Sequence, residues 1–136
     1  MNRTIFKAYD IRGTYPEEIN AETITIIGGT LAEMTAAGVF VIAHDARHGS
    51  AELAAKLHEA VAVAATRLGK TFQFELVGLA TTPMFYFLVN HFGGSGGAMI
   101  TASHNPANYN GLKVVGPGAV TISGTEILKY YERALS

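Results

Sequence analysis

Ser103, beside His104 and followed by Asn105-Pro106 and Asn110-Gly111, lies just past an apolar run ending at Ile100. A serine placed after a buried strand has its hydroxyl on a rigid base, and Asn-Pro and Asn-Gly turns would fix the path while leaving side chains outside. Two chemistries could use it. A serine hydrolase needs the histidine to reach the serine oxygen through space, but adjacent side chains on extended backbone point apart, and no G-x-S-x-G elbow surrounds Ser103. A phosphoryl carrier needs an oxygen nucleophile, cations or donors for the equatorial oxygens, and accurate positioning. Arg12 and Lys113 supply fixed cations, Arg47 a bidentate fork for a phosphate, and His104 a hydrogen-bond donor or proton shuttle. The loops holding them (residues 9 to 13, 44 to 48, 81 to 83 and 101 to 113) carry polar groups that a core does not require.

Other candidates have plainer explanations. Asp45 and His48 lack a third partner for a metal, and His58 and His91 have no second ligand at metal spacing. Residues 93 to 97 are glycine-rich but match neither a P-loop nor G-x-G-x-x-G opening a helix, so they read as a tight turn into a strand. Phe85, Tyr86 and Phe87 read as core and interface rather than a platform for stacked bases.

The elements that position these loops follow from periodicity. Ile24, Ile27, Leu31 and Met34 predict a helix over residues 21 to 38 closed by Gly38, with Gly28 and Gly29 as sites of close packing. Residues 39 to 43 predict a buried strand, Ser50 the cap of a second helix ending at Gly69, and residues 71 to 77 a strand near a sheet edge. Thr82-Pro83 opens a short aromatic helix; residues 96 to 101 and 112 to 115 read as strands, and residues 116 to 118 as a turn. Ser123 and Glu126 have capping-box spacing ahead of a last helix. The alternation predicts one layered α/β/α domain with a mixed, mostly parallel sheet, whose ligands gather beyond the carboxyl ends of the strands.

Composition narrows the function. The 136 residues fit one domain, and ten Lys plus Arg against eleven Asp plus Glu give a net charge of -1 without blocks of either sign, so no nucleic acid partner is expected. The absence of cysteine removes disulfides, thiolate metal sites and cysteine nucleophiles, and suits a cytoplasmic protein. No apolar stretch is long enough to span a membrane, and the charged N-terminus reads as unexported. A charged fraction of 15% is thin for a self-contained surface and points to apolar area meant to be covered.

The motifs resemble those of the α-D-phosphohexomutases, most closely the phosphomannomutase/phosphoglucomutase branch, along nearly the whole chain. Thr101-Ala102-Ser103-His104-Asn105-Pro106 with Tyr109-Asn110-Gly111-Leu112-Lys113 resembles the family's phosphoserine loop. Tyr9-Asp10-Ile11-Arg12-Gly13 resembles its N-terminal substrate loop, and Gly78 through Thr82-Pro83 its G-x-x-x-T-P turn. Residues 43 to 50 follow its G-x-D-x-R-x-S pattern more loosely, with Ala43 for the glycine and Gly49 for the serine. The resemblance implies that Ser103 is phosphorylated and passes its phosphoryl group to a hexose phosphate, so that hexose 1-phosphate and hexose 6-phosphate interconvert through a bisphosphate. It further implies a Mg2+ ion bound by the phosphorylated Ser103 and three aspartates. Catalytic or charge-stabilising roles fall to Arg12, His104 and Lys113, and cleft contacts to Tyr9, Arg47 and Asn110.

Members of that family have four domains around one cleft, and this sequence matches the first. No aspartate follows Glu126, so the D-x-D-x-D metal loop of a second domain is not in it. The expectation is domain I of a larger enzyme, inactive alone, whose partners are hexose phosphates and the remaining domains. A non-catalytic sugar-phosphate binding module, or a fragment that self-associates through a bare face, is the alternative.

Overall fold

The computed structural model describes residues 1–135. Its elements run β1 (Ile11–Thr14), α1 (Ala21–Met34), β2 (Gly38–His44), α2 (Ser50–Leu68), β3 (Phe72–Leu79), α3 (Thr82–His91), β4 (Gly96–Ile100), β5 (Tyr109–Val115), β6 (Thr121–Ile122) and α4 (Gly124–Ala134), with short 3-10 turns at Arg3–Ile5 and Pro117–Ala119. The sheet order is β1-β5-β4-β2-β3, with β6 also on β5. β2 pairs in parallel with β3 and β4, whereas β5 is antiparallel to β1, β4 and β6. All the strands therefore run one way except β5, so the sheet is mixed as expected, although with β5 inside it three of the five pairings are antiparallel.

Apolar alternation sorts the residues to the two faces. Phe40, Ile42, Ala98, Ile100, Leu112 and Val114 join Ile24, Ile27, Leu31, Leu57 and Val61 of α1 and α2 in the larger core, which also takes in Ile127 of α4. Val41, Ala43, Met99 and Val115 face Phe85 and Val89 of α3 in a smaller one. Full burial of each such side chain stabilises the fold by about 2 kcal/mol, so the α1/α2 face supplies most of the stability. Gly28 permits that packing, because a Cβ there would stand 2.6 Å from the Ala60 Cβ. Gly29, expected to act likewise, has nothing within 4 Å of where its Cβ would stand.

Several boundaries move. α1 stops at Met34, where the Thr35 amide donates to the Leu31 carbonyl, and Gly38 opens β2 at φ 142° instead of closing the helix. Gly49, not Ser50, holds the cap position of α2, and Gly69 ends that helix in the left-handed conformation. Thr81 caps α3, with its hydroxyl accepting from the Met84 amide. Ser123 caps α4 as expected, accepting from the Glu126 amide at 3.1 Å. β3 is an edge strand, also as expected. Two stretches read as loops are strands: residues 11 to 14 form β1, and Asn110-Gly111 lies inside β5 rather than in a turn.

Candidate active site

β4 buries all five of its residues, and the chain leaves the sheet at Thr101. The buried Thr101 hydroxyl accepts from the Ser103 amide at 3.0 Å. The Ala102 carbonyl accepts from both the Asn105 amide (3.1 Å) and the Asn105 side-chain nitrogen (2.7 Å). This closes a tight turn with Ser103 at φ 55°, a left-handed conformation that costs a non-glycine residue roughly 1 to 2 kcal/mol. Ser103 and His104 are exposed at its tip. The serine hydroxyl thus stands beyond the carboxyl end of a buried strand.

Beside this turn lie two cations. In an antiparallel pair, opposed residues share a face. Arg12 opposes Gly111 and Lys113 opposes Met99, so Arg12, Lys113 and Met99 belong to the α3 face, where one further alternation brings Thr101. Asp10, almost buried, joins the cations: its carboxylate lies 3.3 Å from Arg12 Nε and 3.9 Å from Lys113 Nζ. One carboxylate balances two cations, so the cluster keeps an excess positive charge. The Arg12 side chain is 40% exposed. A cavity of about 390 Å³ runs from Lys7, Arg12 and Glu18 to Asn105 and Tyr109, connecting β1 with the serine loop.

The β1 side is held by local geometry. The Lys7 amide donates to the Asp10 carbonyl at 2.8 Å, making the turn that presents Tyr9, which is 77% exposed. The start of α4 abuts this turn, with the Thr125 amide donating to the Lys7 carbonyl. At the other end of β1, Glu18 accepts from the Thr14 amide (3.0 Å), the Thr14 hydroxyl (3.2 Å) and the Asn2 side chain. The Thr14 amide is the main cause that holds the Glu18 carboxyl below its ordinary value. The Thr14 hydroxyl, Asn2 and the charge of Lys7 add to it, and partial burial opposes it.

The β2–α2 loop is engaged inwardly. Asp45 accepts from the Arg47 amide (3.0 Å) and the Ser50 hydroxyl (2.6 Å), and Ser50 in turn accepts from Asn110 Nδ2 at 3.0 Å. Asn110 is fully buried, and its Oδ1 accepts from the Gly111 amide. It ties β5 to α2, with its side chain buried between Ser50 and the Gly111 amide. The Arg47 guanidinium donates to the carbonyls of Ser103, Asn105, Pro106 and Tyr109. In this arrangement both of its Nη atoms point at backbone carbonyls of the serine loop. His48 is exposed against the edge of the Tyr15 ring.

The donor set bears on the implied Mg2+. Among the described residues no three His, Cys, Asp or Glu side chains are grouped to hold a metal. Asp10 and Asp45 are both engaged with cations or hydroxyls. Ser103 can offer an oxygen, and further ligands would have to come from outside these residues. The sequence pattern pointed to Ser103, Arg12, Lys113 and Tyr9. It missed Asp10 as the counter-ion of two cations and Ser50 as a link to β5, although an aspartate two residues before an arginine was a usable signal for Asp10 and Asp45 alike.

Three comparisons bear on these residues. The family model described as phosphoglucomutase/phosphomannomutase, alpha/beta/alpha domain I, matches residues 3–135. A phosphomannomutase of Klebsiella pneumoniae is 39% identical over 130 residues, covering 96% of this chain and 79% of that protein. A protein of Xanthomonas campestris pv. campestris (strain B100) named "Phosphohexose mutases" is 40% identical over 123 residues, covering 90% of this chain. The chain spans only 26% of that relative's length. Among solved structures, a phosphoglucomutase/phosphomannomutase family protein from Burkholderia thailandensis superposes with a TM-score of 0.78 at 29% identity, over 99% of this chain and 30% of that one.

Proposed function

We propose, from the premise that this chain belongs to the phosphoglucomutase/phosphomannomutase family, that it is the phosphoserine-bearing domain of a larger phosphohexomutase interconverting hexose 1-phosphate and hexose 6-phosphate. The observation that carries the reading is Ser103, exposed on a left-handed turn at the end of β4, with Arg12 and Lys113 on one face of the neighbouring strands.

In the proposed cycle a free sugar hydroxyl attacks the phosphorus carried by Ser103. A new P–O bond forms to the sugar, the bond to the serine oxygen breaks, and the hydroxyl proton passes to a base, the role proposed for His104. The sugar bisphosphate turns over, its other phosphate returns to Ser103, and the isomeric monophosphate leaves. Arg12 and Lys113 meet the charge on the equatorial oxygens, the main contribution a protein makes to such a transfer. Tyr9 offers an exposed ring to the sugar. Mg2+, held by the phosphorylated Ser103 together with ligands from another domain, would neutralise developing charge when bound.

Covering of exposed Leu79, Met84 and Phe87 by the remaining domains also belongs to this proposal, as does a cytoplasmic location; no helix among the described residues is long and apolar enough to cross a membrane. The test is intact-mass spectrometry of the full-length protein after incubation with a hexose 1,6-bisphosphate. One added phosphoryl group is expected, mapped to Ser103 and abolished in Ser103→Ala together with mutase activity. A Ser103→Ala enzyme with undiminished turnover would sink the carrier role of Ser103, and a full-length protein that gains no phosphoryl group and shows no turnover would favour a sugar-phosphate binding module.

A further inference from the structure

Arg47 carries five N–H donors in a rigid plane. Its Nη1 donates to the Pro106 carbonyl at 2.6 Å and to the Tyr109 carbonyl at 3.1 Å, while Nη2 donates to the Ser103 carbonyl at 2.8 Å and to the Asn105 carbonyl at 2.5 Å. The remaining nitrogen, Nε, faces the Asp45 carboxylate at 3.7 Å. The side chain is 17% exposed. A phosphate could be met by this fork only after loop carbonyls had been released.

The loop's other ties are local or at its far end: the Ser103 amide donates to the Thr101 hydroxyl, the Asn105 side chain to the Ala102 carbonyl, and the Tyr15 amide to the Asn108 carbonyl, whereas Arg47 alone joins four of its carbonyls. The loop's own backbone hydrogen bonds are Asn105 to Ala102 and Tyr109 to Pro106. Ser103 is held in a left-handed conformation that an unsupported serine avoids. The anchor of the fork is itself braced, since Asp45 also accepts from Ser50, and Ser50 is joined to the buried Asn110.

We infer that Arg47 is a positioning residue for Ser103: its guanidinium grips the serine's own carbonyl and three that follow, aiming the hydroxyl, and leaves the substrate phosphate to other cations. The inference rests on Ser103 being the phosphoryl carrier, and it reassigns Arg47 from substrate contact to loop clamp. Lysine cannot replace it, because an ammonium has three donors and no plane to spread across four carbonyls.

The experiment compares Arg47→Lys and Arg47→Ala in the full-length protein. A nucleophile displaced by about 1 Å can lose on the order of 100-fold in rate. The expected result is therefore a fall in kcat of roughly 100-fold for Arg47→Ala and roughly 10-fold for Arg47→Lys, with KM for the hexose phosphate within about twofold. Added guanidinium ion should restore part of the rate to Arg47→Ala, and the Asn105 and Tyr109 amides should exchange hydrogen faster in both variants. A tenfold rise in KM with kcat retained would make Arg47 a substrate contact, and an unchanged kcat with a lower melting temperature would make it merely structural; either overturns the inference. If Arg47→Ala does not fold, Arg47→Lys decides by the same split. If Ser103→Ala retains activity, the carrier reading falls first, and the exchange rates still judge the clamp: unaltered Asn105 and Tyr109 exchange in Arg47→Lys overturns it.

Discussion

The serine loop has a polar strip on either side, and the two strips use similar residues in opposite ways. On the β2–α2 side, Asp45, Arg47, Ser50 and Asn110 direct their polar atoms at one another and at backbone, and Asn110 is fully buried. On the β1 side, Arg12 and Lys113 share one aspartate, and Arg12 stays 40% exposed. The first strip has exhausted its donors in holding the loop, whereas the second keeps donors and charge for something that arrives. An arginine in a loop beside an exposed serine is therefore read from where its nitrogens already point, not from its type.

Gly111 offers the largest effect with which to break that contrast, because it joins the two strips. It follows the buried Asn110 on β5 and opposes Arg12 on β1, and a Cβ added there would overlap the Ile11 carbonyl oxygen and approach the Arg12 Cα to 2.7 Å. Both contacts are backbone, so nothing flexible can yield. Gly111→Ala is expected to destabilise the domain by about 3 kcal/mol or more through overpacking, and to disorder β1 ahead of the core. Chemical denaturation gives the first quantity, and amide exchange at residues 11 to 14 the second. A fully folded variant with β1 protected as before would show that β1 is not fixed by its pairing with β5.

The inward-turned strip is sharpened by Asn110→Ala. The substitution leaves the Gly111 amide without its side-chain acceptor and removes the donor to Ser50. Uncompensated buried groups of this kind cost about 2 kcal/mol. Stability in urea should fall accordingly, while KM for a hexose phosphate in the full-length protein stays within about twofold. A raised KM with unaltered stability would return Asn110 to the substrate.

What could be read in advance follows the same division. The helices and buried strands were legible because their apolar spacing is set by a core, as with Leu53, Leu57, Val61 and Ala64 along α2. β1 was not, since Ile11-Arg12-Gly13-Thr14 has one apolar side chain and owes its extended form to pairing with β5. Gly38 and Asn110-Gly111 have the composition of a helix stop and a turn, and both were overridden by strand pairing. In the candidate site, Ser103, Arg12 and Lys113 stand out in the sequence by residue type alone, as a hydroxyl and two cations. The partners of Arg47 do not, because backbone carbonyls leave no trace in a side-chain pattern.

The smallest effect tests how the outward-facing strip is tethered. Glu18 takes hydrogen bonds from the Thr14 amide, the Thr14 hydroxyl and Asn2, and these hold its folded pKa below the ordinary value. A depressed carboxyl contributes stability that is fully present above its unfolded pKa and is lost as pH falls through the folded one. Acidification below the usual glutamate range should therefore loosen the end of β1 before the α1/α2 core responds. In melting curves taken from pH 7 downward, the wild type should lose a stability increment that Glu18→Gln lacks at every pH, so the two curves converge in acid. The Asn105–Arg47 side should keep more of its exchange protection through that window, because four of the acceptors of Arg47 are carbonyls that do not titrate and the Asp45 carboxylate meets only its amide and Nε. Parallel loss of protection on both sides of Ser103 would mean that the strips are one cooperative unit and that their separate roles do not extend to their stability.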